Sequence, residues 1–171
     1  MNPKELPSGD DIPQKINVFI EIPAGGSTKY EVDEETGFLF VDRFLHTSMT
    51  YPFNYGFIPN THAGDGDQLD VVVLSMDPAL PGTVIKCKPI GMLMMDDEAG
   101  QDEKLVAVPL EKIDPFYGKY NDISDIPDAI KNRIKHFFEE YKALEPGKWV
   151  KVKEWQDASI AKEVIQKGSS K

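Results

Sequence analysis

The chain has 171 residues, enough for one domain with a sizeable core, and its composition is that of an ordinary globular protein. Its net charge of −10 argues against a nucleic-acid partner, but a phosphate substrate stays open because bound cations reverse the local sign. A single cysteine excludes an intrachain disulfide. With no signal-peptide segment and no membrane-length apolar run, the expected location is cytoplasmic, with no membrane partner.

One domain over 1–171 is expected, and residues 1–14 are polar and Pro-rich, a loosely held lead-in. Residues 16–22 are rich in β-branched side chains and predict a strand, punctuated by Pro23-Ala24-Gly25-Gly26-Ser27. Residues 29–33 alternate like an edge strand, and residues 38–45, apolar on both faces, predict a buried one. Residues 51–59 are aromatic but broken by Pro and Gly, which predicts a packed loop with a short strand. Strands follow at 70–74, 84–94 and 104–108, with residues 95–103 as a hairpin turn. Cys87 in that region is read as a small buried residue despite its flanking Lys86 and Lys88.

From Asp128 to Leu144 the apolar residues Ile130, Ile134, Phe137, Tyr141 and Leu144 share one helical face, with Pro127 suited to the first turn. Residues 149–155 alternate as a last strand. Residues 157–167 predict a closing helix, capped by Asp157 and ended by Gly168. Short strands with frequent turns, then helices, predict an α+β fold: a small barrel with helices packed outside.

The chemistry concentrates in Asp65-Gly66-Asp67-Gln68-Leu69-Asp70. Carboxylates at this density repel, and a hard divalent cation with oxygen ligands would hold them together. Asp65 and Asp67 point the same way in extended chain, and Gly66 permits a bend. An EF-hand is discarded: its fifth and sixth positions would be Leu69 and Asp70, and a strand follows. A second acidic turn holds Asp96, Asp97, Glu98, Asp102 and Glu103. Two such clusters suggest several cations in one site, which is chemistry suited to activating water and holding phosphates. Lys29 and Glu31 share a strand face, Arg43 lies on an apolar face where a charge needs a partner such as Asp33 or Asp42, and Tyr141 and Lys142 end a helix. His46, His62 and His136 show no ligand spacing.

Taken in order, these stretches resemble the soluble family I inorganic pyrophosphatases of bacterial type. The matching segments are Glu21-Ile22-Pro23, Lys29-Tyr30-Glu31-Val32-Asp33, Val41-Asp42-Arg43, Tyr51-Pro52-Phe53-Asn54-Tyr55-Gly56, Asp65 to Val71, Asp97-Glu98-Ala99-Gly100, Asp102, Lys104 to Pro109 and His136 to Lys142. The resemblance implies a compact five-stranded OB-like β-barrel with flanking α-helices, hydrolysis of pyrophosphate to two phosphates, and a homohexamer. It implies Mg²⁺ as cofactor, with Mn²⁺ or Zn²⁺ as substitutes. It implies metal ligation by Asp65, Asp70, Asp97, Asp102 and Glu31, with Asp67 as base toward the attacking water. Phosphate binding falls to Lys29, Arg43, Tyr55, Tyr141 and Lys142, and support to Glu21, Tyr51, Glu98 and Lys104. Gln68 stands where the family usually has Pro. The alternative is a metal-dependent phosphohydrolase acting on nucleotides or polyphosphate, for which Tyr51, Phe53, Tyr55 and Phe57 would have to form an open pocket. A single-strand-binding OB module is disfavoured by the acidic balance.

Overall fold

The computed structural model describes residues 3–33, 35–64 and 66–169. Eight strands and two α-helices follow one another as β1 (Ile16–Ile22), β2 (Thr28–Val32), β3 (Leu39–Phe44), β4 (Asn54–Phe57), β5 (Asp70–Val73), β6 (Val84–Asp97), β7 (Gly100–Pro109), α1 (Asp128–Glu140), β8 (Val150–Asp157) and α2 (Ala158–Ser169). Two short 3₁₀ turns, Tyr117–Lys119 and Ile123–Asp125, precede α1. The second carries a capping box built by Asp122 and Asp125.

The main sheet has six strands in the order β1-β4-β5-β7-β6-β8, and β2 and β3 form a separate two-stranded ribbon. Every residue of β1 is buried, because β1 pairs with β4 on one side and with the first part of β6 on the other. β5 and β7 are parallel, with Val71 opposite Leu105. Both faces of β5 are covered: Val72 joins the apolar cluster containing Phe137, and Val71 and Val73 join the one containing Ala161 and Ile165. A strand covered twice reads as a continuous apolar run, which is the sequence of Val71-Val72-Val73.

The α+β class stands, but the five-stranded OB-like barrel is corrected to a six-stranded mixed sheet with a separate ribbon. Alternation tells which face a side chain takes and not which strand lies alongside. At 14 residues β6 is long enough to take β1 along its first half and β8 along its second, with a register shift between Pro89 and Gly91. The sheet therefore continues outward into β8.

The ribbon corrects a second expectation. β3 is not buried: Phe40, Val41 and Phe44, and Phe38 just before it, are 55%, 50%, 69% and 68% exposed, since among the described residues no layer covers the ribbon's outer side. The lead-in is more firmly attached than its composition suggests. Ser8 Oγ donates to Pro59 O at 2.7 Å, Asn17 Nδ2 to Pro7 O at 2.9 Å and Asn60 Nδ2 to Leu6 O at 2.6 Å. The β6–β7 turn is tighter than residues 95–103, because Asp97 already pairs with Gly100. Asp157 does cap α2, accepting from Ile160 N at 3.0 Å, whereas Gly168 lies inside the helix and packs against Leu69 and His62. Cys87 is buried and its thiol is pushed up by that burial, while Lys86 pairs with Asp10 and Lys88 with Asn121.

β4 approaches β1 closely at Gly56, where a Cβ would stand 1.8 Å from Phe19 O. Backbone cannot yield as a side-chain tip can. Gly56→Ala should therefore destabilise by about 1–3 kcal/mol or more. Thermal unfolding should show a fall of about 2–4 °C per kcal/mol in a chain of this size.

Candidate active site

Charged side chains from three walls meet in a cleft of about 760 Å³. The first wall is the ribbon. Alternation along β2 puts Lys29 and Glu31 on one face, and the pairing of Lys29 with Arg43 brings β3's cation beside them. Lys29 Nζ contacts Glu31 and, at 3.3 Å, Asp42 Oδ2. Arg43 contacts Asp42 at 2.5 Å and Glu145 at 2.9 Å. Burial works against the charge on Lys29, yet Glu31 and Asp42 hold it above the usual lysine range.

Glu21 on β1 fastens the ribbon to the sheet, accepting from Val32 N at 2.9 Å. Burial pushes its carboxyl up to about 8; the Val32 N–H works against this, and Asp70 and Glu31 add to it.

The floor comes from the parallel pair. The β5–β7 register sets Asp70 next to Lys104, and Asp102, two residues earlier on β7, shares that face. Lys104 Nζ lies 2.6 Å from Asp70 Oδ2 and 2.8 Å from Asp102 Oδ1, and 5.8 Å from the centre of the Tyr55 ring. Burial disfavours the Lys104 charge, but Asp70, Tyr55 and Asp102 hold it protonated well above the ordinary range. Burial raises Asp102, Lys104 opposes that, and Asp70 and Asp97 raise it further. Tyr55 is buried against this floor and its phenol is pushed far up by burial.

The third wall joins the β6–β7 turn to the segment after α1. Lys142 Nζ lies 3.2 Å from Asp97 Oδ2 and 3.1 Å from Glu98 Oε2, and Lys148 Nζ lies 2.8 Å from Glu98 Oε1. Burial acts upward on Glu98, but donors from Lys148, its own backbone, Lys142 and Trp149 bring it down to about 2. Tyr141 lines the same wall, its ring stacked on Phe137 at 5.0 Å.

Asp67 reaches the cleft from the turn before β5. Ala63 N donates to Asp67 O at 2.7 Å, and Gly66 takes φ +96°, a conformation that favours glycine. Gln68 also lines the cleft, with its Oε1 buried and lacking a hydrogen-bond partner. Asp65 lies outside the described residues. Tyr51 is behind the surface rather than on it: it is buried, with ring centroids 5.9 Å from Tyr55 and 6.4 Å from Tyr141. Tyr51, Phe53, Tyr55 and Phe57 are all buried, so they form no open platform for a nucleobase.

Glu21, Lys29, Glu31, Arg43, Tyr55, Asp67, Asp70, Asp97, Glu98, Asp102, Lys104, Tyr141 and Lys142 all line this cleft. Asp96 is paired instead with Lys153 at 2.5 Å. Sequence reasoning passed over Glu145 and Lys148. Both belong to the Leu144-Glu145-Pro146-Gly147-Lys148 turn, whose Pro-Gly pair breaks any periodicity, and only their charges could have flagged them.

Residues 18–171 match the family described as Inorganic pyrophosphatase. The chain belongs to the inorganic pyrophosphatase family. It is 57% identical over 168 residues to the inorganic pyrophosphatase of Aquifex pyrophilus, covering 98% of this chain and 95% of that one. Identity to the Aeropyrum pernix inorganic pyrophosphatase is 56%, covering 93% and 90% of the two chains. Its fold is also similar to the crystal structure of inorganic pyrophosphatase from Thermus thermophilus, with a TM-score of 0.95 at 45% identity and coverage of 99% and 98%.

The raised Glu21 carboxyl has a consequence for stability. In the unfolded chain it titrates near 4.5, and in the folded one near 8, so between these values the folded state binds more protons. Its contribution is fully present below about 4.5 and is lost as pH rises toward 8. Glu21→Gln, which resembles the protonated form, should flatten that decline, read by urea unfolding at pH 5, 6.5 and 8.

Proposed function

We propose that this inorganic pyrophosphatase runs its reaction, the Mg²⁺-dependent hydrolysis of pyrophosphate to two phosphates, in this cleft with the following division of labour. Asp70 and Asp102 converge on one buried positive centre, Lys104, in a cleft that Lys29, Arg43 and Lys142 also line, and this carries the reading.

The residues fit Mg²⁺. The donors are carboxylate oxygens, the hard ligands this ion takes. Asp102 is raised by burial and by Asp70 and Asp97, which marks an excess of negative charge that a cation would relieve. Among the described residues no three His, Cys, Asp or Glu side chains already form a closed cage. That is consistent with carboxylates now turned to lysines. Asp65, Asp70, Asp97, Asp102 and Glu31 would hold the ions. When bound, Mg²⁺ lowers the pKa of water and neutralises phosphate charge.

Asp67 takes the proton of the attacking water. Its turn places it at the open side of the cleft, where water has access. Lys29, Arg43, Tyr55, Tyr141 and Lys142 bind and orient the two phosphates. Arg43 can grip two oxygens in a fork, while the lysines act as point charges. Glu98 and Glu21 hold Lys142 and the ribbon in place, Lys104 keeps Asp70 and Asp102 together, and Tyr51 backs Tyr55 and Tyr141. Positioning and electrostatics account for most of phosphoryl-transfer catalysis, and this cleft supplies both.

A homohexamer is part of the proposal, supported by the exposed apolar side chains of β3, an apolar patch of the kind that marks an interaction surface. The location proposed is the cytoplasm; among the described residues no helix is long and apolar enough to cross a membrane.

Phosphate release from pyrophosphate, with and without Mg²⁺, tests the reading. Asp67→Asn should cut kcat by ~10²–10⁴-fold, the usual loss of a general base, and near-full turnover would remove Asp67 from that role. Asp70→Ala should shift the Mg²⁺ dependence to higher concentration; an unchanged titration would oppose its ligand role. Light scattering on a size-exclusion column should give the mass of six chains, and a monomer mass would refute the hexamer.

A further inference from the structure

We infer that Glu145 is a positioning residue for Arg43, fixing the direction in which the guanidinium presents itself to a phosphate group. The inference rests on the proposed role of Arg43 in binding substrate phosphate. Glu145 comes from the turn between α1 and β8, yet its Oε1 lies 2.9 Å from Arg43 Nε on the far wall. At 8% exposure its carboxylate is withdrawn from water, and a buried charge needs a partner. Asp42 holds Arg43 Nη1 at 2.5 Å. With one carboxylate at Nη1 and another at Nε, the guanidinium plane is determined, and Nη2 is left for the cleft.

The contact with Glu145 is held by charge more than by an aligned hydrogen bond. Among the described residues, Arg43 Nε and Glu145 Oε2 are both buried without an aligned hydrogen-bond partner. The pair also joins two walls of the cleft. Glu145 shares its segment with Tyr141, Lys142 and Lys148, whereas Arg43 stands beside Lys29 on the ribbon. Fixing Arg43 to that segment fixes the separation of the cationic groups that must grip a small ligand from two sides.

The test is steady-state pyrophosphate hydrolysis with Mg²⁺, inhibition by inorganic phosphate, and urea unfolding for each variant. Glu145→Gln removes the charge at constant shape. It should raise KM and the phosphate inhibition constant together by about ten-fold, within the range that a misplaced binding group costs. Glu145→Asp keeps the charge but draws it back, and should give an intermediate rise; it carries the test if Glu145→Gln does not fold. In Glu145→Gln/Arg43→Ala the loss should be no greater than in Arg43→Ala alone. A KM that is unchanged or lower in both Glu145 variants overturns the inference, as do losses that multiply in the double variant. Reduced unfolding stability with unchanged phosphate inhibition would make Glu145 a staple between walls and overturn it equally. If Arg43→Ala alone leaves phosphate inhibition unchanged, the proposed role of Arg43 has failed, which is distinct from failure at Glu145.

Discussion

The cleft depends on compensation of like charge at close range. Each of its main cations is shared by two carboxylates: Lys104 by Asp70 and Asp102, Lys142 by Asp97 and Glu98, Lys29 by Glu31 and Asp42, and Arg43 by Asp42 and Glu145. In every case the two carboxylates would repel without the cation between them. Such clusters are poor sources of stability, because withdrawing ions from water offsets much of their attraction. A fold that retains several of them side by side is holding charge for a purpose other than folding.

The sheet makes the arrangement possible. Lys104 reaches Asp70 only because β5 and β7 run parallel with Val71 opposite Leu105. It meets Asp102 because residues two apart on a strand share a face. The apolar layers beneath, formed around Val71, Val72, Val106 and Leu105, exclude water from the ammonium and so strengthen its hold on both carboxylates. The ribbon is joined differently, through Glu21 and the Glu145–Arg43 contact, and its outer side carries exposed Phe and Val. One wall of the site is thus rooted in the core, and the other is fixed by these polar contacts together with Tyr30 and Leu45, which pack into the apolar cluster around Phe137.

What the sequence disclosed follows the same division. Contacts between near neighbours were legible: Lys29 and Glu31 on one face, Asp42 as a partner of Arg43, and the cap at Asp157. The convergence of segments as far apart as Lys29, Asp70 and Lys142 was reached through family resemblance, since no periodicity encodes it. The barrel was misjudged because the residues of β6 do not announce that its second half pairs with β8. β3 was misjudged for a related reason: apolar residues on both faces imply burial only where a second layer exists, and the ribbon lacks one within the described residues. Glu145 escaped notice because its importance lies wholly in a partner on β3.

Shared cations also determine how this site meets a highly charged ligand. A phosphate group entering the cleft competes with carboxylates for the same ammonium and guanidinium groups, so bare anion against bare site is an unfavourable encounter. A divalent cation held by the carboxylates would change the balance from the other side, leaving the lysines and Arg43 to face phosphate. Glu98, brought down to about 2 by its donors, is the carboxylate least ready to release its lysines, and it is not among the proposed ligands. Asp102 is pushed up by burial and its acidic neighbours, which marks an excess of negative charge at that point of the cleft. The same pairs that compensate the site's negative charge therefore set Glu98, held down by several donors, apart from Asp102, pushed up by burial and acidic neighbours, although both are carboxylates of one cleft.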